Sequence, residues 1–409
     1  MEATATLEKG SDDSIVADRS IGTIPIGRLR LESVDVLRGV VMVLMALDHT
    51  RDFLGVTSVS PTDLSQTTGP LFFTRWITHF CAPVFFLLTG TGAYLSLRKK
   101  SKRQLSRFLF TRGLWLIFLE WTLFRCLGFQ FNFDYRVTVL NVLWGLGWAM
   151  IVLSALVRIP LAVTTALGLI MIVGHNLLDS IQSSNPVWSI LHSPNFILKN
   201  PQHSVFVVYP LIPWIGVTAV GYSLGQIYAW TWQLRRTFLL RAGLGLTAAF
   251  VILRSINVYG DPAPWTMQKS TLFTTLAFLN TCKYPPSLLF LLMTLGPALV
   301  FLWAMDSRTP RLFRPALIFG KVPMFYFLLH IPLIHLIAVV VCYARYGHVH
   351  WMFESPSVSQ FPITFPPGWG LSLPMVYLMW VSVVIALYPL CCWFAAVKQR
   401  GSAAWLSYF

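Results

Sequence analysis

Charge is what this 409-residue chain has least of: 11% of its residues are charged, 31 Lys and Arg against 16 Asp and Glu. Soluble domains carry about 25%. With 55% hydrophobic residues and a mean hydropathy of +0.63, the shortage excludes a water-soluble globular enzyme and a disordered tail protein. The net charge of +15 would suit an anionic partner. The basic residues, however, sit in short clusters between long apolar runs, so a nucleic-acid-binding module is excluded as well. Cysteine is scarce: the six residues Cys81, Cys126, Cys282, Cys342, Cys391 and Cys392 make no CxxC or zinc-type spacing and read as small buried thiols. No HExxH or comparable ligand set appears, so no metal is expected. Residues 1–27 hold five acids and no apolar core. Lacking the h-region of a cleaved signal, they are expected to form a disordered cytoplasmic tail. No internal repeat of the kind that marks many transporters is present.

What the chain does have is apolar runs of membrane-spanning length, which take about 20 residues each. About ten can be counted, near Val34–Leu54, Leu71–Leu97, Phe108–Phe124, Val139–Val157, Leu161–Leu178, Val205–Ala229, Phe238–Ile256, Ser287–Met305, Ala316–Tyr343 and Leu371–Val397. The expected fold is all-α, a polytopic membrane bundle of roughly nine to eleven helices. Residues 28–400 would form one membrane domain and 401–409 a short cytoplasmic tail. The ninth run is overlong and holds Pro323 and Pro332, which predicts a kink or a break.

Basic residues set the expected orientation. Arg28, Arg30, the run Arg98 to Arg103, Arg158, Arg235, Arg236, Arg308, Arg311, Arg314, Lys398 and Arg400 fall in one set of connections. Longer, sparsely charged loops near 55–70, 125–138, 179–204, 257–286 and 344–370 alternate with them. Both termini would then be cytoplasmic. The long loops are rich in Pro, Trp, Asn and His and read as ordered caps over the bundle.

An ionisable residue inside a span is costly, so it marks a candidate site. The first span holds Asp35, Arg38, Asp48, His49, Arg51 and Asp52. Arg38 and His49 fall on nearly one face, about 16 Å apart along the axis. Asp35 is placed to pair with Arg38, and Asp52 lies one turn beyond His49. Charge at one end and an imidazole near the other suit acid–base chemistry across a bundle, histidine being the side chain that titrates near neutrality. The plainer reading is a neutralised ion pair at a helix entry with interfacial charges at its exit. In the third run, Arg107 reads as a topology signal, Arg112 as a phosphate ligand or one half of a buried pair, and Glu120 as a member of a buried polar network. His79 and His330 are either core imidazoles or site residues. His335, five residues after His330, does not complete a metal-binding face.

The segment Arg30-Leu31-Glu32-Ser33-Val34-Asp35-Val36-Leu37-Arg38-Gly39, running on to Asp48-His49, resembles the first span of heparan-alpha-glucosaminide N-acetyltransferase-like membrane proteins. It is also similar to the wider superfamily of membrane acyltransferases that acetylate bacterial surface sugars. Segments Arg112 to Glu120, Tyr209 to Gly216, Lys283 to Ser287, Phe319 to Pro323 with His330, and Tyr388 to Cys391 extend the likeness from residue 28 onward. The resemblance implies transfer of an acetyl or acyl group from cytoplasmic acyl-CoA to an amine or hydroxyl of a sugar or cell-envelope acceptor. His49 would be general base or acyl carrier, with Asp48 or Asp52 orienting it. Arg38, Arg107, Arg112 and Lys321 would meet acetyl-CoA, and His79, Lys283 and His330 the acceptor. A bacterial inner membrane is the implied location, with the lipid bilayer and the acceptor as partners, no nucleic acid, and a homodimer left open. A transporter or flippase of an envelope precursor is the alternative.

Overall fold

The computed structural model describes residues 32–401. The expected tail over 1–27, with Arg28 and Arg30, and nearly all of 401–409 lie outside the described residues. The chain begins with α1 (Glu32–Leu54), α2 (Gly69–Thr78), α3 (Cys81–Ser96) and α4 (Lys102–Leu119). It continues through β1 (Val137–Leu140), α5 (Val142–Leu156), α6 (Leu161–Gly174), α7 (Pro186–Leu191), β2 (Phe196–Lys199), β3 (Ser204–Val207) and α8 (Leu211–Leu224). The remainder is α9 (Trp232–Ile256), α10 (Thr271–Leu279), α11 (Leu288–Met305), α12 (Arg314–Lys321), α13 (Pro323–Tyr346) and α14 (Leu373–Arg400).

This is a helical membrane protein. Among the described residues, six stretches are helical, long and apolar enough to cross a bilayer: Gly69–Ser96, Leu161–Leu178, Trp232–Ile256, Leu288–Met305, Pro323–Tyr346 and Leu373–Arg400. The other expected runs fall short for physical reasons. Helix α1 has the length but carries Glu32, Asp35, Arg38, Asp48, Arg51 and Asp52. Helices α5 and α8 have only 15 and 14 residues, because the starts of both runs are spent on strands. Strand β1 pairs in parallel with β3, Val137 opposite Ser204 and Leu140 opposite Val207, and β2 pairs antiparallel to β3. The all-α expectation thus misses a three-stranded sheet of order β1-β3-β2. Short β-branched stretches such as Val137-Thr138-Val139 satisfy their backbone by pairing with each other outside the helices.

The expected break at Pro323 is present: α12 ends at Lys321, Val322 leaves helical geometry, and Pro323 opens α13, a position where its missing N–H costs nothing. The bundle closes around α1 by close backbone approach. A side-chain carbon on Gly39 would stand 1.7 Å from the Ala316 carbonyl oxygen, and one on Gly320 1.8 Å from that of Asp35. Only glycine lets α1 and α12 touch this closely, which is how membrane helices gain packing without a hydrophobic drive between them. Arg38 ties the contact, bonding Asp35 at 2.8 Å and the Gly320 carbonyl at 3.2 Å.

Helix α4 continues as a π-helix over Glu120–Phe129, the wider turn that moves side chains off their α-helical register. It brings the buried Glu120 carboxylate to the N-terminus of α5, where it accepts the Leu143 and Trp144 N–H groups at 2.9 and 3.3 Å. Glu120 therefore caps a helix whose own Asn141 makes no side-chain cap. The long loops are ordered caps. Arg254, 1% exposed, donates to the carbonyls of Phe278, Ala277, Asn280 and Ala263, and Trp369 donates to the Phe53 carbonyl at 3.0 Å.

Candidate active site

A cavity of about 150 Å³ opens inside the bundle beside the last third of α1. Met45, Asp48, His49 and Asp52 line it from α1, one helical face at spacings of three and four. Arg75 of α2 and Cys81, Ala82 and Phe85 of α3 add a second wall. Phe124 and Phe129 come from the π-helix, Tyr209 from the loop before α8, Lys283 and Tyr284 from the loop before α11, and Phe361 and Pro362 from the cap. Aromatic walls with a few converging charges make the kind of site that binds a small organic group.

His49 makes no hydrogen bond among the described residues, and its Nδ1 is buried without a partner. Its ring lies 5.3 Å from that of His330 and edge-on to Phe129 at 5.8 Å, centre to centre. His330 is fully buried behind it; its Nδ1 stands 3.1 Å from the Tyr326 carbonyl and its Nε2 is unpartnered. Asp48 is committed elsewhere. Its oxygens accept Arg75 at 2.5 and 2.7 Å and the Thr78 hydroxyl at 2.9 Å, and Arg51 stands 2.9 Å away. Asp52 pairs with Arg51. Neither carboxylate hydrogen-bonds the imidazole. Lys283, 9% exposed, makes no ion pair among the described residues and lies with its Nζ 5.2 Å above the Tyr284 ring.

The other expected site residues do not line this cavity. His79 is 2% exposed and packs edge-on against Phe290. Arg38 and Lys321 stand together at the opposite end of α1, where Lys398 reaches the Lys321 carbonyl at 3.5 Å. Arg107 is exposed on α4, and Arg112 sits over the Phe108 ring at 5.8 Å. Sequence reading passed over Arg75, although a lone cation in the apolar helix Gly-Pro-Leu-Phe-Phe-Thr-Arg-Trp-Ile-Thr is the costly intramembrane charge that needs a partner. Tyr209 and Tyr284 were in view only as parts of motifs; their rings meet at 5.5 Å.

A polar knot holds the cap over the cavity. Ser355 donates to Asp134 at 2.5 Å and to Gln130 at 3.3 Å, and Arg125 reaches Asn132, Asp134 and Ser355. It joins the segment after the π-helix to the one that carries Phe361. Burial disfavours the Asp134 charge, but the Ser355 hydroxyl, the Arg136 N–H and Arg125 outweigh it and hold the carboxyl below its ordinary value. A group with a depressed pKa stabilises the fold above its unfolded pKa, near 3.9, and loses that contribution as pH falls through the folded value. Asp134→Asn should therefore melt about 2 °C below wild type at pH 7. The gap should persist down to about pH 4 and close only below it. Thermal unfolding in detergent across that range measures it, and a gap that is unchanged at pH 3 would refute the assignment.

Helical spans around a buried cavity of aromatics, histidine and paired charge define a polytopic membrane protein with an internal polar cavity. Residues 30–259, more than half of the chain, match the family model described as heparan-alpha-glucosaminide N-acetyltransferase, catalytic, and the chain belongs to that family. Membership implies a transmembrane acyltransferase. No curated protein matches the chain. The matched stretch carries Asp48, His49, Asp52 and Arg75; Lys283, Tyr284 and Phe361 come from outside it.

Proposed function

We propose that the protein moves an acetyl group from acetyl-CoA to an amine or hydroxyl of a sugar or cell-envelope acceptor, using His49 in the cavity. The observation that carries this reading is an imidazole with no hydrogen bond among the described residues on the wall of a buried cavity, in a chain of an acetyltransferase family. His49 takes the proton of the acceptor as its oxygen or nitrogen attacks the thioester carbonyl. The thioester oxygen gains negative charge in that step, and Lys283 on the same cavity, which makes no ion pair among the described residues, stabilises it. The C–S bond then breaks and CoA thiolate leaves, to be protonated by the imidazolium. Arg75 and Arg51 are spent on Asp48, and His330 packs behind the catalytic ring.

The donor's phosphates belong at the end of α1 that carries Arg38 and Lys321, with Lys398 beside them. The positive-inside pattern makes that the cytoplasmic end of an inner membrane protein. About 16 Å of helix separates Arg38 from His49, a path for an extended pantetheine arm. Arg107 and Arg112 on α4 would act earlier, drawing the anionic donor towards that surface.

The test is release of CoA from labelled acetyl-CoA by the purified protein with amino sugars or polyols present, alongside thermal stabilisation by CoA on the same samples. Turnover that requires an acceptor supports the reading. Stabilisation without turnover keeps the donor and asks for another acceptor. If neither appears, the reading fails, and counterflow of labelled sugars in proteoliposomes then examines transport.

A further inference from the structure

The turn after α6 brings His175 and Asp179 against His192, the residue that follows α7, with one ligand atom from each lying within 4.8 Å of the others. We propose that these three residues bind a single divalent transition-metal ion, zinc being the best chemical match, and that the ion ties the turn after α6 to the end of α7. This site is separate from the His49 cavity and does not depend on the acyl-transfer reading.

Among the described residues, His175 is 1% exposed and neither of its ring nitrogens has a hydrogen-bond partner, while His192 is 2% exposed with Nδ1 unpartnered. Burying a polar atom without a partner costs roughly 1–3 kcal/mol, so the His175 ring, with neither nitrogen satisfied, calls for a ligand that takes up a nitrogen lone pair. His192 Nε2 lies 3.1 Å from Asp179 Oδ1, a separation suited to two atoms bound to one small cation with bonds of about 2 Å. The two rings meet at 64° with centroids 5.8 Å apart. Asn176 donates to Asp179 Oδ2 at 2.8 Å, leaving Oδ1 to the ion, as supporting residues do around metal ligands. The Pro286 carbonyl lies within reach of the His175 ring though short of good hydrogen-bond geometry, a partner for the N–H that a metal-bound imidazole keeps.

Two nitrogens and one carboxylate oxygen suit zinc, whereas calcium and magnesium take six or more oxygens. Three protein ligands leave a fourth position for water. The clamp has a mechanical consequence. Asn176 also accepts the Leu288 N–H at 2.9 Å, so the turn is fastened to the N-terminus of α11. The segment just before it supplies Lys283 and Tyr284 to the cavity. The i,i+4 pair His175 and Asp179 was the visible half of the site in the sequence. His192 lies beyond the connection and joins them only in the fold, so the expectation of no metal rested on spacing alone.

The experiment uses full-length protein purified without a polyhistidine tag, treated with chelator and titrated with Co²⁺. One equivalent should produce the visible absorption of four-coordinate cobalt, be displaced by Zn²⁺, and raise the melting temperature. Asp179→Asn and His192→Gln should each weaken binding by more than about 10-fold. No cobalt spectrum and no stabilisation of the wild type would overturn the proposal, as would binding that both substitutions leave unchanged.

Discussion

Replacing His49 with alanine is expected to lower acetyl transfer by about 10²–10⁴-fold while leaving the bundle folded. The two halves of this expectation come from the same geometry. Among the described residues His49 makes no hydrogen bond and its Nδ1 is unpartnered, so its removal breaks no hydrogen bond there. The space it vacates adjoins an existing cavity, and the helix loses only the ring contacts with Phe129 and His330. The melting temperature in detergent should therefore stay close to that of wild type, and CoA should still stabilise the variant, since Arg38 and Lys321 are at the other end of α1. Acceptor-dependent release of CoA should be nearly lost. If the imidazole instead carries the acyl group, wild type incubated with acetyl-CoA alone accumulates an acetylated peptide containing His49. A fully active His49→Ala protein would remove the histidine from the mechanism.

Asp48→Asn should act in the opposite sense, as a defect of folding first. Asp48 is the counter-charge for Arg75 at 2.5 and 2.7 Å and for Arg51 at 2.9 Å, and accepts the Thr78 hydroxyl. The side chains of Arg51 and Arg75 are only 8% and 16% exposed. The amide keeps the shape and removes the charge, so Arg75 loses its ion-pair partner inside the bundle, while Arg51 retains Asp52. Breaking one side of a buried pair costs about 3–5 kcal/mol. Arg75→Met should cost less, because Asp48 then keeps Arg51 and Thr78. Unfolding of both variants in mixed micelles gives the ranking. Equal stability of Asp48→Asn and wild type would show that the cluster is solvated.

Several of these features were readable before any fold was known. Asp35 and Arg38, three residues apart on a helix, pair at 2.8 Å, because helix geometry alone brings i and i+3 together. The break at Pro323 follows from a missing donor. Val137–Leu140 and Ser204–Val207 were not readable as strands: a short apolar run has no period that separates a strand from the start of a buried helix. Nor was the role of Asp48. Its neighbour in sequence is His49, but its partner is Arg75 on another helix, and no spacing along the chain reports a contact between helices.

The sequence by itself determined the solvent of this protein and the contents of its first helix. Too little charge to face water leaves the bilayer as the environment, and a dense set of ionisable groups on one helix must turn inward. The tertiary structure decided what those groups meet. The approach of α1 to α12 at Gly39 and Gly320 sets the register of the bundle. That register commits Asp48 to arginines and leaves His49 on the cavity wall. The fold brings His192, which follows α7, to the His175 and Asp179 of the turn after α6. Periodicity records which side of a helix is apolar; only packing records which residue stands opposite.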